Sequence, residues 1–278
     1  MTPKELLKQT ARRFEAAGIP DPEVDSALIL SHLTGKPMLN LRLDADTPLD
    51  GDLLARFEAM CLQRLTRQPL QYVLGGQPFM GRDFHVDERV LIPRPETELL
   101  CEWAIEEARR FPAPAEVLDL CCGSGCLGVS LSLALPGARV HAADLSGGAL
   151  EVTELNARRL GAQLTLHRGD LFAAVVGLRF HLIVSNPPYI PAEECRSLQP
   201  EVLREPLMAL DGGPDGLDFY RRIAREAAAH LHPGGVVLLE VGHDQAHATA
   251  ALMEAAGFRR TCIHNDLQGI ARMVAAYL

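Results

Sequence analysis

The 278-residue chain is poor in aromatics, 5% in all with one Trp and four Tyr, so platforms for stacking nucleic-acid bases are scarce. It has no basic excess: 27 Lys and Arg stand against 36 Asp and Glu, a formal charge of −9. The deficit is −2 up to residue 92 and −7 beyond it, so neither part carries the surplus that phosphate contacts demand. A C-x-x-C pair is missing, and the seven cysteines (61, 101, 121, 122, 126, 195 and 262) are odd in number. This argues against a disulfide framework or a structural zinc site and for reduced thiols in a cytoplasmic, soluble protein. No run reaches the ~18 apolar residues of a membrane span. The longest candidate, Leu127 to Leu135, is broken by serines and closed by Pro136. The opening MTPKELLKQTARRFEAAG holds Glu5 and Glu15 and reads as an amphipathic helix, not a targeting peptide. What is present, 47% apolar and 23% charged residues, is globular and long enough for one large or two smaller domains.

The first ~75 residues read as a small bundle of about three helices. Leu6, Leu7, Phe14 and Ala17 share a face of the first, which Gly18 closes. Asp21-Pro22 opens a second, with Val24, Leu28 and Leu33 inward and Gly35 as its stop. Residues 50–68 form a third, with Leu53, Phe57, Met60, Cys61 and Leu65 on one face and Arg56, Arg64 and Arg67 mostly on a solvated one. Alternation around Phe79, Phe84, Val86 and Val90, punctuated by Gly81 and Asp87, predicts a β-hairpin linker over 77–93. Pro93 and Pro95 then lead into a helix ending near Arg110.

From residue 116 strands and helices alternate. Strands are expected at 116–120, 139–144, 164–169, 181–185, 236–241, 259–264 and 271–278, with Pro233-Gly234-Gly235 as a turn before the fifth. Helices fall near 125–134, 146–160, 216–231 and 243–256. The fold class is therefore α/β, with a doubly wound, mostly parallel seven-stranded sheet. The domains follow as 1–76 (helical), 77–93 (hairpin linker) and 94–278 (α/β).

Two motifs carry chemistry. In V117-L-D-L-C-C-G-S-G-C-L-G128 a strand ends in a tight loop that opens a helix. Gly123 and Gly125 let backbone approach a ligand, and the helix start offers free N–H groups. Gly123, Gly125 and Gly128 match G-x-G-x-x-G, with Asp144 placed 21 residues after Gly123, as in a dinucleotide fingerprint. Asp119, however, would repel a pyrophosphate while suiting the ammonium of an amino-acid-like ligand, which tilts the reading towards S-adenosylmethionine. Under either reading Asp144 can hold two ribose hydroxyls.

The second motif, I183-V-S-N-P-P-Y-I190, follows a strand. Pro-Pro cannot continue a sheet, so the chain leaves on a stiff path that fixes the Asn186 amide and the Pro187 carbonyl near the strand ends. Those two acceptors could hold both hydrogens of a planar NH2 group, with Tyr189 against its flat face. The arrangement suits methylation of an amide or exocyclic amine, without a metal.

Asp119 to Gly125 resembles the first motif of class I S-adenosylmethionine-dependent methyltransferases. Asn186–Tyr189 resembles the N-P-P-Y of enzymes acting on adenine N6, cytosine N4 and glutamine N5. VDERVLIPRPETE (86–98), Glu205-Pro206, DGGPDGLDFY (211–220), HLTGK (32–36) and QPLQY (68–72) are similar to the release-factor glutamine N5-methyltransferases, the PrmC/HemK family. The likeness covers essentially the whole chain, and Arg94–Glu98 has the release-factor form rather than that of the sister ribosomal-protein enzymes. The resemblance implies a cofactor wall of Cys121, Cys122, Gly123, Ser124, Gly125, Asp144, Asp170, Leu171 and Asn186, and a substrate site of Asn186, Pro187, Pro188 and Tyr189. Catalysis would rest on Asn186, Pro187 and Tyr189. It further implies S-adenosyl-L-methionine as cofactor, S-adenosyl-L-homocysteine as its product, and class I peptide chain release factors as partner. Their Gly-Gly-Gln glutamine would be methylated on N5 while the N-terminal domain grips the factor. No nucleic acid or membrane is implied, and nothing demands more than a monomer. Two positions depart from the family. Cys121 replaces a common glycine, and Leu171, with Phe172, replaces an aromatic against the adenine.

Other features are weaker. His243 and His247, four apart, lack a third metal ligand; His230 and His232 read as helix-end partners; Glu96 and Glu98 suit either a cap or the substrate. The rival functions are a DNA adenine methyltransferase, which the acidic charge disfavours, a nicotinamide-dependent oxidoreductase, which leaves Asp119 and N-P-P-Y unexplained, and a non-catalytic adaptor.

Overall fold

The computed structural model describes residues 1–43 and 46–278. The chain divides into two compact units, Met1–Gly75 with Pro200–Arg204, and Gly76–Gln199 with Glu205–Leu278.

In the helical unit, α1 (Pro3–Ala16) starts from a capping box in which Thr2 and Glu5 bond each other's backbone N–H. Two further helices follow, α2 (Pro22–Thr34) and the short α3 (Met38–Leu43). Asp50 then caps α4 (Gly51–Leu65) through the Leu53 N–H, and α5 (Leu70–Leu74) comes last. Among the described residues of this unit, five helices thus stand where about three are expected. The two extra ones span one or two turns beside Pro37 and Pro69, too short to show an apolar period. Phe14, Ile29, Leu30, Phe57 and Cys61 make the core.

The inward face of α2 differs from the expectation. Val24 is exposed and Leu28 and Leu33 are half-buried, whereas Asp25, Ser26, Ile29 and Leu30 are buried. Asp25 turns inward because Arg64 meets it, Nε to Oδ2 at 2.7 Å. Arg64 is only 3% exposed and also reaches Glu201 at 2.8 Å, while Arg67 grips the same carboxylate with two bonds of 2.7 and 2.6 Å. Of the three arginines assigned to a solvated face, only Arg56 is exposed.

The second unit opens with a hairpin of β1 (Gln77–Phe79) and β2 (Arg82–Phe84). Its turn, Met80-Gly81, has positive φ at both residues (49° and 71°), matching the twist of the flanking strands. The ladder closes at Phe84, short of the expected 93; Val86 and Val90 are buried on irregular chain. Helix α6 (Pro95–Ala108) follows.

A seven-stranded sheet then builds from β3 (Glu116–Leu120), β4 (Arg139–Asp144), β5 (Thr165–Arg168), β6 (Phe180–Ser185), β7 (Leu231–Glu240), β8 (Arg260–Asn265) and β9 (Ala271–Tyr277). Its order is β5-β4-β3-β6-β7-β9-β8, parallel from β5 to β7, with β9 antiparallel to both neighbours. This is the expected doubly wound α/β sheet. Strand β7 begins earlier than the turn at 233–235 suggests. Leu231 pairs with Phe180 and Val236 with Leu182, so the residues between bulge out.

The crossovers are α7 (Cys126–Ala134), α8 (Gly147–Leu160), α9 (Asp218–Ala227) and α10 (Ala246–Ala255). Alternate strand residues face opposite layers. Val117, Leu182 and Leu238 pack with Leu100 of α6 and Val129 of α7; Leu118, Ile183 and Leu239 pack with Tyr220 of α9 and Met253 of α10. Strand order reverses between β3 and β6, which sets the loops after these strands side by side at their carboxyl ends, where such sheets bind ligands. No helix among the described residues is long and apolar enough to cross a membrane.

Candidate active site

A cavity of about 480 Å³ opens at that reversal. Its floor is the loop after β3. Cys121 (φ 63°), Gly123 (55°) and Gly125 (77°) all take left-handed backbone, so the loop turns sharply. A Cβ on Gly125 would stand 2.7 Å from Thr153, and one on Gly128 would stand 3.0 Å from Asp119. The loop is tied to β4 by the Cys122 N–H on the Ala143 carbonyl and the Gly123 N–H on Asp144. From α8, Thr153 donates to the Gly123 carbonyl at 3.0 Å. Asn156, fully buried, donates to the Ser124 carbonyl at 2.9 Å and receives the His85 N–H at 2.7 Å. Sequence reasoning missed both; two polar residues three apart on the inward face of an otherwise amphipathic helix were the available signal.

Asp119 is 1% exposed and lies beneath the loop. One carboxylate oxygen accepts the Gly128 N–H at 2.8 Å and the other has no partner. Burial, opposed by the Gly128 bond, lifts its pKa to about 7. Asp144, at the end of β4, accepts N–H groups from Gly123 and Ser146 at 2.9 Å each. Burial raises its pKa despite those bonds. Asp170 pairs with Arg222 at 2.8 Å, and Leu171, held at φ 49°, completes an apolar wall. Phe172 packs instead against His230, ring centroids 4.7 Å apart, away from the cavity.

After β6, Asn186 and Pro188 reach the cavity wall. Pro187, Tyr189 and, in the other loop, Gly125 are not among the residues that line it. Tyr189 is held by its backbone, its carbonyl accepting from Gln245 at 2.8 Å. Gly212 and Gly216 crowd it so closely that a Cβ on either would lie within 3 Å of Tyr189 backbone atoms. This is the physical need behind Gly212 and Gly216 of the 211–220 stretch. Asn186 itself donates from Nδ2 to Thr97 Oγ1 at 3.2 Å, and Thr97 donates to the buried Glu240 at 2.6 Å. Both of those groups escaped sequence reasoning, since only the fold brings α6, β6 and the end of β7 together.

The other residues singled out in the sequence are placed as follows. Glu98 accepts the Met80 N–H of the hairpin at 2.6 Å, and His230 meets the Leu178 carbonyl at 3.1 Å. His232 packs beside His181, and His243 and His247 are exposed. Cys121, Cys122 and Cys126 line the cavity as thiols whose ionisation burial suppresses. Among the described residues no cluster could hold a metal ion.

Two family profiles match the chain, the PrmC N-terminal domain over residues 5–75 and the methyltransferase small domain over 97–213. A release factor glutamine methyltransferase of Cereibacter sphaeroides is 45% identical, covering 100% of this chain and 99% of that protein. Its counterpart in Geobacter sulfurreducens is 42% identical over 98% and 95%. Among solved structures, a methyltransferase from Pyrococcus furiosus is similar with a TM-score of 0.53 at 15% identity, covering 82% of this chain and 98% of that one, a likeness of fold alone. Similarity that runs the length of both sequences, through the helical unit as well as the sheet, means that the chain belongs to the release factor glutamine methyltransferase family.

Proposed function

We propose that this protein methylates the side-chain amide nitrogen (N5) of the glutamine in the Gly-Gly-Gln motif of class I peptide chain release factors, using S-adenosyl-L-methionine. The observation that carries the reading is the juxtaposition in one cavity of a glycine loop and Asp144 with the Asn186 amide. The donor set fits the cofactor. Asp144 offers carboxylate lone pairs for a ribose diol, and Leu171 gives an apolar surface for a base. Asp119, buried beneath the loop and off the cavity wall, adds a carboxylate whose field favours an ammonium brought near the loop.

When bound, the sulfonium supplies an electrophilic methyl group. The protein's part is to present the nitrogen. An amide lone pair is delocalised, so accepting both N–H bonds at Asn186 Oδ1 and the Pro187 carbonyl helps turn that pair towards the methyl carbon. Nitrogen becomes acidic as the new bond forms, so its proton can leave late and no strong base is needed. Cys121, Cys122, Gly123, Ser124, Gly125 and Asp170 complete the cofactor side; Pro188 and Tyr189 stiffen the substrate loop. The helical unit would grip the body of the release factor, with the enzyme acting as a cytoplasmic monomer.

Incubation with radiolabelled S-adenosylmethionine and unmodified release factor, followed by mass spectrometry, tests this. Label on the Gly-Gly-Gln glutamine is the expected result. Tight S-adenosylhomocysteine binding without label would reopen the substrate, and no binding would overturn the cofactor assignment.

A further inference from the structure

Thr97 lines the cavity beside Asn186, and Glu240 reaches the site only through Thr97. Each is 2% exposed, Thr97 in the first turn of α6 and Glu240 at the end of β7, where the Tyr220 hydroxyl holds its backbone carbonyl at 2.9 Å. A buried carboxylate is costly, and this one has a specific partner. A carboxylate can only accept, and a threonine hydroxyl has one proton to give. The 2.6 Å contact commits that proton to Glu240. Only lone pairs remain on Thr97 Oγ1, so the Asn186 group 3.2 Å away must meet them with its NH2 end. A reversed amide would set carbonyl oxygen against lone pair.

We infer that Thr97 and Glu240 are positioning residues that fix which end of the Asn186 amide faces the cavity, leaving its carbonyl oxygen to receive the substrate N–H. The inference rests on the glutamine reading, because only a donor substrate gains from that polarity. With the amide reversed, an NH2 group would face the NH2 of the substrate, losing one hydrogen bond and adding repulsion. Glu240 matters as much as Thr97, since a neutral amide in its place could donate to Thr97 and release the hydroxyl proton towards Asn186.

Thr97→Val, Thr97→Ser and Glu240→Gln would be compared with wild type in the full-length protein, well above neutral pH because burial, opposed by the Thr97 bond, lifts the Glu240 pKa to about 7. Thr97→Val and Glu240→Gln should each lower kcat about 10- to 100-fold, with S-adenosylhomocysteine affinity within about twofold of wild type. Thr97→Ser, which keeps the hydroxyl, should restore most of the rate. Wild-type turnover in Thr97→Val, or an equal loss in Thr97→Ser, would overturn the inference. The side-chain amide protons of Asn186, followed by nitrogen-15 NMR with S-adenosylhomocysteine bound, give a readout without substrate. They should exchange slowly in wild type and quickly in Thr97→Val. Equal exchange rejects the relay, whereas slow exchange in a wild type that leaves release factor unlabelled rejects only the substrate.

Discussion

The backbone N–H of Gly123 donates to the carboxylate of Asp144 at 2.9 Å, so the loop after β3 and the end of β4 are one hydrogen-bonded object. Asp144 therefore shapes the glycine loop and also faces the cavity with lone pairs to spare. Asp144→Ala should weaken S-adenosylhomocysteine binding by about 10- to 100-fold through both effects. Calorimetric titration checks this, and unaltered affinity would remove Asp144 from the cofactor site.

Asn186→Ala should behave in the opposite way. Its amide is assigned to the substrate, so kcat on release factor should fall by about two orders of magnitude while S-adenosylhomocysteine affinity stays near wild type. Unchanged turnover would sink the role given to the Asn-Pro-Pro-Tyr loop.

Asp119 predicts a conflict between stability and binding. Its folded-state pKa, about 7, lies above the unfolded value, so the stability it lends is full in acid and is lost as pH rises through neutrality. Asp119→Asn should then stabilise the ligand-free protein above neutral pH by about 1–3 kcal/mol, with the gain vanishing near pH 4. The same variant should bind cofactor less well. Thermal melts across pH, with and without S-adenosylhomocysteine, measure both; a pH-independent difference would refute the ionisation argument.

Glu201 gives the reverse sign. Burial would raise its pKa, but the Arg67 and Arg64 guanidinium groups override this and hold it at about 2. Its contribution is present above the unfolded carboxylate range and is lost as pH falls towards 2. Glu201→Gln should destabilise the protein by about 2–3 kcal/mol at neutral pH, because Arg64 is buried and loses a partner. Urea melts should show the gap closing in acid, and equal stability at neutral pH would contradict it.

Cys121 is held at φ 63°, a left-handed conformation that costs any residue with a Cβ about 1 kcal/mol or more. Cys121→Gly should accordingly be more stable than Cys121→Ala by about 1 kcal/mol, a comparison that removes the thiol from both sides. Identical melting curves would mean that the loop relaxes.

The sheet was legible because strands buried on both faces leave short uninterrupted apolar runs, such as Leu182–Val184. The inward turn of Asp25 was not, because it depends on Arg64, 39 residues away, and hydropathy sees only the cost of burying a charge. Thr97, Asn156 and Glu240 were hidden for a similar reason. Each looks like an ordinary helix or strand polar residue until folding supplies its partner. Cys121 was visible as a departure from glycine, and the backbone angle shows what that departure costs.

Strand β9 lies between β7 and β8 although residues 271–277 follow both in the chain. Vectorial synthesis therefore delivers β8 before the strand it pairs with exists, and β7 waits with one edge open. Until β9 has left the ribosome, the unit that carries the cavity has an unpaired parallel edge, so assembly is gated by a late segment remote in sequence from the site. A premature stop ahead of residue 271 would spare every cavity residue yet leave two strands without the neighbour that joins them.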